Sequence, residues 1–529
     1  MIDPIDGVVK TKIKRTKIKP RTDRTESANH MRKKDALGLP LAAASAFSFL
    51  ISVASAAQPL SSAASSDSQP HTSAQAARAP SSTGQQPTAE RPLNPTQEVA
   101  GETAEGPALP VGAAQLRVGG YLGVTGLYRS TNGGGGTGTS FASIPYTDTL
   151  QGNVSESRLT AQASRITLRV DADFPEDRPR FRKLAGYFEM DFNGAVSGTI
   201  AVTSTSAGFR LRHAFAEVQY SDSFYMGAGQ AFSLMTPQKD QVSMWPSDVE
   251  ISQAVDTNYL AGLVWGRVPQ FRLAWRPSRR FNWAFSLENP EQQLGKSAVT
   301  LPLCCASDLD AQYNTGSDEL KVPNLMPDIV TRVALNPTEA VHVDVGGVFR
   351  AFRHTVKPYD DTFKEVGGGA SVNARVQATT ETRIIGQLAF GSGLGRYIGG
   401  LVPDLAFTAD SSITALRTTA WVAGVEQKVS SIVSLAGYYS GVDTESSVHV
   451  DTDGRYIGYG YPGSSSSNNK RVEELTFTSA LLAFKTSNRG SAQINLQFSW
   501  LQREPWSQGS GPASASMLMF FAQVRYNLP

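Results

Sequence analysis

Cysteine is nearly absent. Two cysteines in 529 residues exclude a disulfide framework and any multi-cysteine metal cluster. Charge is sparse as well, at 18% against about 25% in soluble domains. No apolar run reaches the roughly 20 residues that a spanning helix needs. Neither sign of charge dominates. Lys plus Arg is 49 and Asp plus Glu is 47, so nothing marks a nucleic-acid binder. What is present is glycine, 47 residues of it, beside a hydrophobic fraction of only 40%. The length would allow three or four soluble domains, but this composition points instead to one β-rich unit of modest hydrophobicity.

The first hundred residues address the chain. Residues 1–30 are polar and basic. At Met31-Arg32-Lys33-Lys34 a positive head begins, followed by an apolar, small-residue stretch from Leu37 to Val53 and an Ala54-Ser55-Ala56 exit. That order predicts a cleaved secretory signal peptide within 1–56, with Met31 as the expected start. Residues 57–114 are Ser, Ala, Pro, Thr and Gln without an apolar period. Such a segment buries too little surface to offset its ordering entropy, and it reads as a disordered periplasmic linker without coiled-coil heptads.

From Leu116 the period becomes two. Leu184, Gly186, Phe188 and Met190 share one face, and Ala185, Tyr187, Glu189 and Asp191 the other. Ile166, Leu168 and Val170 alternate with Arg165, Thr167 and Arg169. This is the signature of a half-buried strand. About sixteen such runs occur, near 116–129, 158–174, 183–193, 209–220, 224–233, 264–276, 281–288, 328–335, 340–353, 367–378, 382–391, 413–429, 432–440, 471–485, 491–503 and 514–527. Short connections alternate with long ones. Residues 115–529 therefore read as an all-β domain, a transmembrane up-and-down antiparallel β-barrel in a bacterial outer membrane. Only a closed barrel lets strands satisfy every backbone group in lipid. Trp265, Trp275, Phe281, Trp283, Tyr438, Tyr439, Trp500 and Tyr526 are expected at the interfacial girdles. The inward parity of 209–220 stays open, because Phe215 and Val218 demand opposite faces.

In a barrel this wide the inward positions face water. Thirteen basic and ten acidic residues lie before residue 115, leaving 36 and 37 for the barrel. Of those 36, 27 are Arg. Arg165 and Arg169, and Arg210 and Arg212, recur at alternating positions, with Glu189 and Asp191 on a neighbouring run. Two readings stand side by side. The arginines either brace the wall against carboxylates such as Asp171, Glu189, Asp191 and Asp344, or form a ladder for anions. Arg suits the second role because it stays charged and grips carboxylate bidentately. The third long connection, 234–263, carries Asp240, Asp248, Glu250 and Asp256. An inward-folded acidic loop facing an Arg-bearing wall would set a transverse field at a constriction.

Several segments quoted in order carry a resemblance. Arg165-Ile166-Thr167-Leu168 precedes Phe188-Glu189-Met190-Asp191-Phe192. Then come Arg210-Leu211-Arg212-His213-Ala214-Phe215, Gly229-Gln230-Ala231-Phe232, Leu287-Glu288-Asn289-Pro290-Glu291 and Pro327-Asp328-Ile329-Val330. Their order and spacing resemble the DcaP-like outer-membrane porins. The resemblance implies a trimeric sixteen-stranded channel for small anions, dicarboxylates among them. It also implies lumen roles for Arg165, Arg169, Arg210 and Arg212, opposite Glu189 and Asp191. Two features depart from that pattern: the Ser/Pro/Ala linker replaces a helical stretch, and the chain ends in Tyr526-Asn527-Leu528-Pro529 rather than Phe.

The expected function is passive diffusion of small hydrophilic solutes, with a preference for anions. The expected partners are those solutes, outer-membrane lipid and two further copies of the chain. No cofactor, metal or nucleic acid is expected. The alternatives are a non-conducting structural or adhesive barrel and an outer-membrane lipase-type enzyme. The enzyme is disfavoured, because no G-x-S-x-G elbow exists for a Ser–His pair. Cys304-Cys305 reads as a local loop staple. Asp451-Thr452-Asp453-Gly454 is a fragment of a calcium-loop pattern, read as a solvated turn.

Overall fold

The computed structural model describes residues 108–529 apart from 134–135, 175–180, 196–204, 206, 296–297, 314–321, 487 and 508–510. The expected signal peptide and nearly all of the expected linker lie outside the described residues. The final linker positions form a hairpin. Leu109–Val111 turns at Gly112, whose φ of +62° suits glycine, and pairs with the start of the first barrel strand.

Sixteen strands make the barrel. They are β1 Ala114–Arg129, β2 Glu156–Thr160 continued by Arg165–Asp173, β3 Lys183–Asp191, β4 Arg210–Gln219, β5 Phe224–Phe232, β6 Arg267–Ser278, β7 Phe281–Glu288 and β8 Asp328–Thr338. They continue as β9 Val341–Val356, β10 Asp361–Gln377, β11 Thr382–Ser392, β12 Arg417–Lys428, β13 Val433–Thr444, β14 Asn469–Thr486, β15 Gly490–Pro505 and β16 Ala515–Asn527. Each pairs antiparallel with the next, and β16 closes the ring on β1 from Tyr121↔Asn527 to Arg129↔Met519. Closure leaves no open sheet edge, the condition for strands in lipid.

The alternation sorts side chains as the period of two requires. Leu122, Val124, Leu168, Val170, Phe271, Val345, Ile384, Leu388, Val425, Leu475, Phe498 and Val524 stand exposed on the outside. Their parity partners, such as Thr125, Thr167, Gln270, Asp344, Arg383, Glu426, Thr476, Gln497 and Gln523, are buried inside. An outer face of this kind is at home in hydrocarbon, where an Arg or Lys at the midplane would cost about 2–4 kcal/mol. Among the expected girdle aromatics, Tyr438 departs. It points inward, 2% exposed, and its hydroxyl donates to Glu426 Oε1 at 2.6 Å. Its even-numbered position shares the inward parity of Ala436 and Ser440. Trp265 departs too: it lies on a loop, edge-to-face with Tyr259 at 5.1 Å.

A bulge settles the conflict in β4. Glu189 pairs with His213 and Met190 with Leu211, so Arg212 is the extra residue. Before it, Arg210 and Arg212 point inward while Leu211 faces out. After it the parity flips, and Phe215 and Glu217 are buried while Ala216 is exposed. Bulges of this kind re-aim side chains beside functional sites.

The short connections lie at one end with both barrel termini, and the long ones at the other. One connection on the long side differs from expectation. β9 and β10 run past the expected ends at 353 and 367 as a two-stranded hairpin, paired up to Val356↔Asp361.

The third long connection, 233–266, crosses the barrel interior. It enters beside β5, and its residues reach successive strands of the far wall. Gln238 N–H donates to Asp344 on β9, Gln253 N–H to Tyr438 on β13, Ala261 N–H to Glu474 on β14, and Val255 N–H to Gln497 on β15. Part of the interior is consequently dry. Leu234, Met235 and Val242 of this loop belong to one buried cluster with Ala274, Ala284, Val330 and Ala334 of β6–β8. The expectation of water along the whole inner wall does not hold there, because small apolar side chains were selected to receive the loop.

Candidate functional site

The loop divides the interior and leaves a cleft on the β1–β2 and β15–β16 side. Its volume is about 80 Å³. One wall is the loop stretch from Ile251 to Tyr259. The other carries Tyr121 of β1, Arg165 of β2, Arg212 of β4, Gln493 and Asn495 of β15, and Gln523 and Arg525 of β16.

The guanidinium groups are arranged around Tyr121 and two carboxylates. Arg525 lies over the Tyr121 ring at 3.6 Å from its centroid, and Arg165 at 5.3 Å. Arg165 reaches Glu189 at 3.4 Å. Arg212 donates to Glu189 through Nε and lies 3.0 Å from Asp191. Arg210 grips Asp191 bidentately at 3.0 and 2.7 Å. Tyr187 hydroxyl donates to Glu189 at 2.7 Å. Glu189 and Asp191 are each 1% exposed, so these buried acids are fully paired, as burial of charge demands. On the wall side, four guanidinium groups (Arg165, Arg210, Arg212 and Arg525) stand against two carboxylates.

Arg169 sits apart from this group. It binds Asp171 of its own strand at 2.6 and 3.0 Å and lies over the Trp245 ring at 4.6 Å. Trp245 is a loop residue whose indole N–H donates to Glu217 at 3.0 Å. Other strand arginines hold the loop. Arg332 donates to the Leu234 and Met235 carbonyls, and Arg276 to the Val242 carbonyl at 2.8 Å.

The loop acids take positions that spacing did not reveal. Asp240 and Glu250 meet Arg375 of β10 at 2.6 and 3.2 Å, and Glu250 lies 3.8 Å from Arg383 of β11. They therefore anchor the loop to the wall away from the cleft. Burial pushes the Glu250 carboxyl up, but the Arg383 and Arg375 guanidiniums outweigh it and hold it below the usual carboxylate range. Asp248 stays within the loop, accepting from Ser243 Oγ at 2.5 Å and Gln241 at 3.2 Å. Burial raises its carboxyl. Asp256 lines the cleft, but its carboxylate accepts the Thr139 N–H at 3.1 Å and the Asn258 N–H at 2.8 Å. Burial raises it as well. The loop wall of the cleft is otherwise Ile, Ser, Gln, Ala, Val, Thr and Tyr.

Of the six wall residues singled out in the sequence, the structure brings Arg165, Arg210, Arg212, Glu189 and Asp191 into contact and leaves Arg169 apart on Asp171. Sequence reasoning missed Tyr121, Arg525 and the amides Gln493, Asn495 and Gln523. A signal was available, since Gln523 and Arg525 alternate with Val524 and Tyr526 in the last strand. Elsewhere, Cys304 and Cys305 are bonded to each other. The Asp451 carboxylate accepts from Leu303 N–H at 2.8 Å and from Arg455. It is occupied by protein donors and buried, so only residues 452–454 of the expected solvated turn are exposed. Among the described residues no group of three metal-ligating side chains occurs.

No known family model matches the sequence, and no curated protein matches it. Among solved structures, the outer membrane channel DcaP of Acinetobacter baumannii is similar at 14% identity, TM-score 0.58, covering 81% of this chain and 100% of that one. OmpT, an outer membrane protein of Vibrio cholerae, aligns at 10% identity and TM-score 0.43, covering 80% and 100%. Salmonella typhi OmpF aligns at 9% identity and TM-score 0.42, covering 80% and 100%. The DcaP alignment, taken with strand order and closure, establishes the fold: this chain is a sixteen-stranded antiparallel barrel built like that outer membrane channel.

Proposed function

We propose that the protein is an outer-membrane porin that lets small hydrophilic solutes diffuse passively, with a preference for anions. One observation carries the reading: Arg165, Arg212 and Arg525 converge on a single cleft beside the inward loop. The loop acids supply no matching row of carboxylates there. Arg525 and Arg165 are held against Tyr121, so their donors are oriented before a solute arrives. The amides of Gln493, Asn495 and Gln523 offer neutral hydrogen bonds in place of water, which suits partial dehydration at a constriction. Small carboxylates, dicarboxylates among them, fit a pair of guanidinium forks by geometry and charge.

The site moves solutes and performs no bond chemistry. Assembly is proposed as a homotrimer through the apolar outer wall. Reversal potentials across a planar bilayer in a salt gradient test the selectivity. An anion-selective sign supports the proposal, and a cation-selective sign overturns it. A sealed barrel would support the structural or adhesive alternative.

A further inference from the structure

The hairpin that extends β9 and β10 above the wall has an outward face with a sharp chemical gradient. Cross-strand pairs on that face run Phe349↔Gly368, Ala351↔Val366, Arg353↔Lys364 and Thr355↔Thr362. Phe349 is 44% and Val366 59% exposed, so the apolar band continues to this level. Immediately above it two cations stand directly opposite each other. Like charges so placed destabilise a sheet. Among the described residues neither has a carboxylate within ion-pair distance. Lys357 at the tip, by contrast, has Asp360. The next row is a pair of hydroxyls, Thr355 and Thr362, 3.1 Å apart.

We propose that this face binds the phosphate-bearing headgroup of a lipid in the outer leaflet. Acyl chains would lie on Phe349 and Val366, a phosphate between Arg353 and Lys364, and headgroup hydroxyls against the threonines. The assignment follows from the order of the rows. A free anion would need no apolar floor, and a zwitterionic lipid would not call for two uncompensated cations. The inference rests on the barrel standing in a membrane and is independent of pore selectivity.

The test uses the full chain, delipidated in detergent, with binding read by native mass spectrometry. Lipid A in mixed micelles is the probe, with phosphatidylcholine and inorganic phosphate as the other arms. Each basic residue near an anionic surface contributes about 1 kcal/mol. R353Q/K364Q should therefore bind lipid A about 30-fold more weakly, with heat-modifiable gel migration retained. K364Q alone, at an exposed side chain, should lose about five-fold and serves if the double variant does not assemble. Lys428→Gln, at the opposite end of the barrel, should bind as the parent does. Unchanged lipid A binding in these hairpin variants overturns the proposal. So does equal competition by inorganic phosphate, which would indicate a simple anion site, or equal binding of phosphatidylcholine.

Discussion

Replacing Arg165 by Gln isolates the electrostatics of the cleft from the stability of the wall. Arg165 lines the cleft and reaches Glu189 at 3.4 Å. Its removal leaves Glu189 with Arg212 and the Tyr187 hydroxyl, so the buried carboxylate keeps a cation and a donor. The barrel should therefore assemble. The loss falls on a passing anion. One unit charge about 4 Å away is worth ~1 kcal/mol in a water-like dielectric, a factor of about five in local concentration. Liposome swelling with a dicarboxylate such as succinate should slow by about five-fold in R165Q, while swelling with a neutral sugar stays as in the parent. The difference should shrink in 1 M salt, where the screening length falls to about 3 Å. Equal succinate rates in the two proteins, with intact heat-modifiable migration, would refute the argument. Arg165 would then be a bracing residue.

Other perturbations separate bracing from permeation. Arg212→Gln removes the Nε contact to Glu189 and one of the two guanidiniums at Asp191, while Glu189 keeps Arg165 and Tyr187 and Asp191 keeps Arg210; the cost should be about 1.5–3 kcal/mol, read as a clear fall in the unfolding temperature in detergent, and an unchanged temperature contradicts the paired arrangement. The Glu250 latch should be pH-sensitive. A carboxyl depressed in the folded state contributes stability that is fully present above its unfolded value of 4.5 and is lost as pH falls through the lower folded value. Single-channel conductance should accordingly hold steady at neutral pH and become noisy below about pH 4.5, while E250Q should be noisy at all pH values; acid noise unaffected by E250Q points elsewhere. Facing is tested by neighbours in β16. Val524→Arg places a cation in lipid at about 2–4 kcal/mol and should reduce assembled barrel on a gel, whereas Gln523→Glu points inward beside Arg525 and should assemble normally. Equal yields would show that the parity is misassigned.

The barrel was readable because period-two alternation is imposed at every strand by the same boundary, lipid outside and protein or water inside. All sixteen runs coincide with strands, with ends shifted by a few residues. β4 resisted because a bulge is a one-residue change of parity. It leaves no mark in the pattern beyond the apparent conflict between Phe215 and Val218. The interior was less legible for a related reason. Alternation says that Ala274, Ala284, Val330 and Ala334 point inward, but not that Leu234, Met235 and Val242 of an earlier loop will cover them. The loop acids show the same limit. Asp240 and Glu250 find Arg375 and Arg383 across the barrel, a pairing set by where the loop lands and not by sequence spacing. Arg525 and Tyr121 lie at opposite ends of the barrel domain in sequence and meet only because the last strand closes on the first.

The cleft should provide an open, anion-favouring path. Single-channel recording of the purified protein in a planar bilayer tests it most directly. The protein should give discrete conductance steps and, under a ten-fold salt gradient, a reversal potential of the sign set by the anion. Insertion without steps, or a reversal potential of the opposite sign, would contradict it.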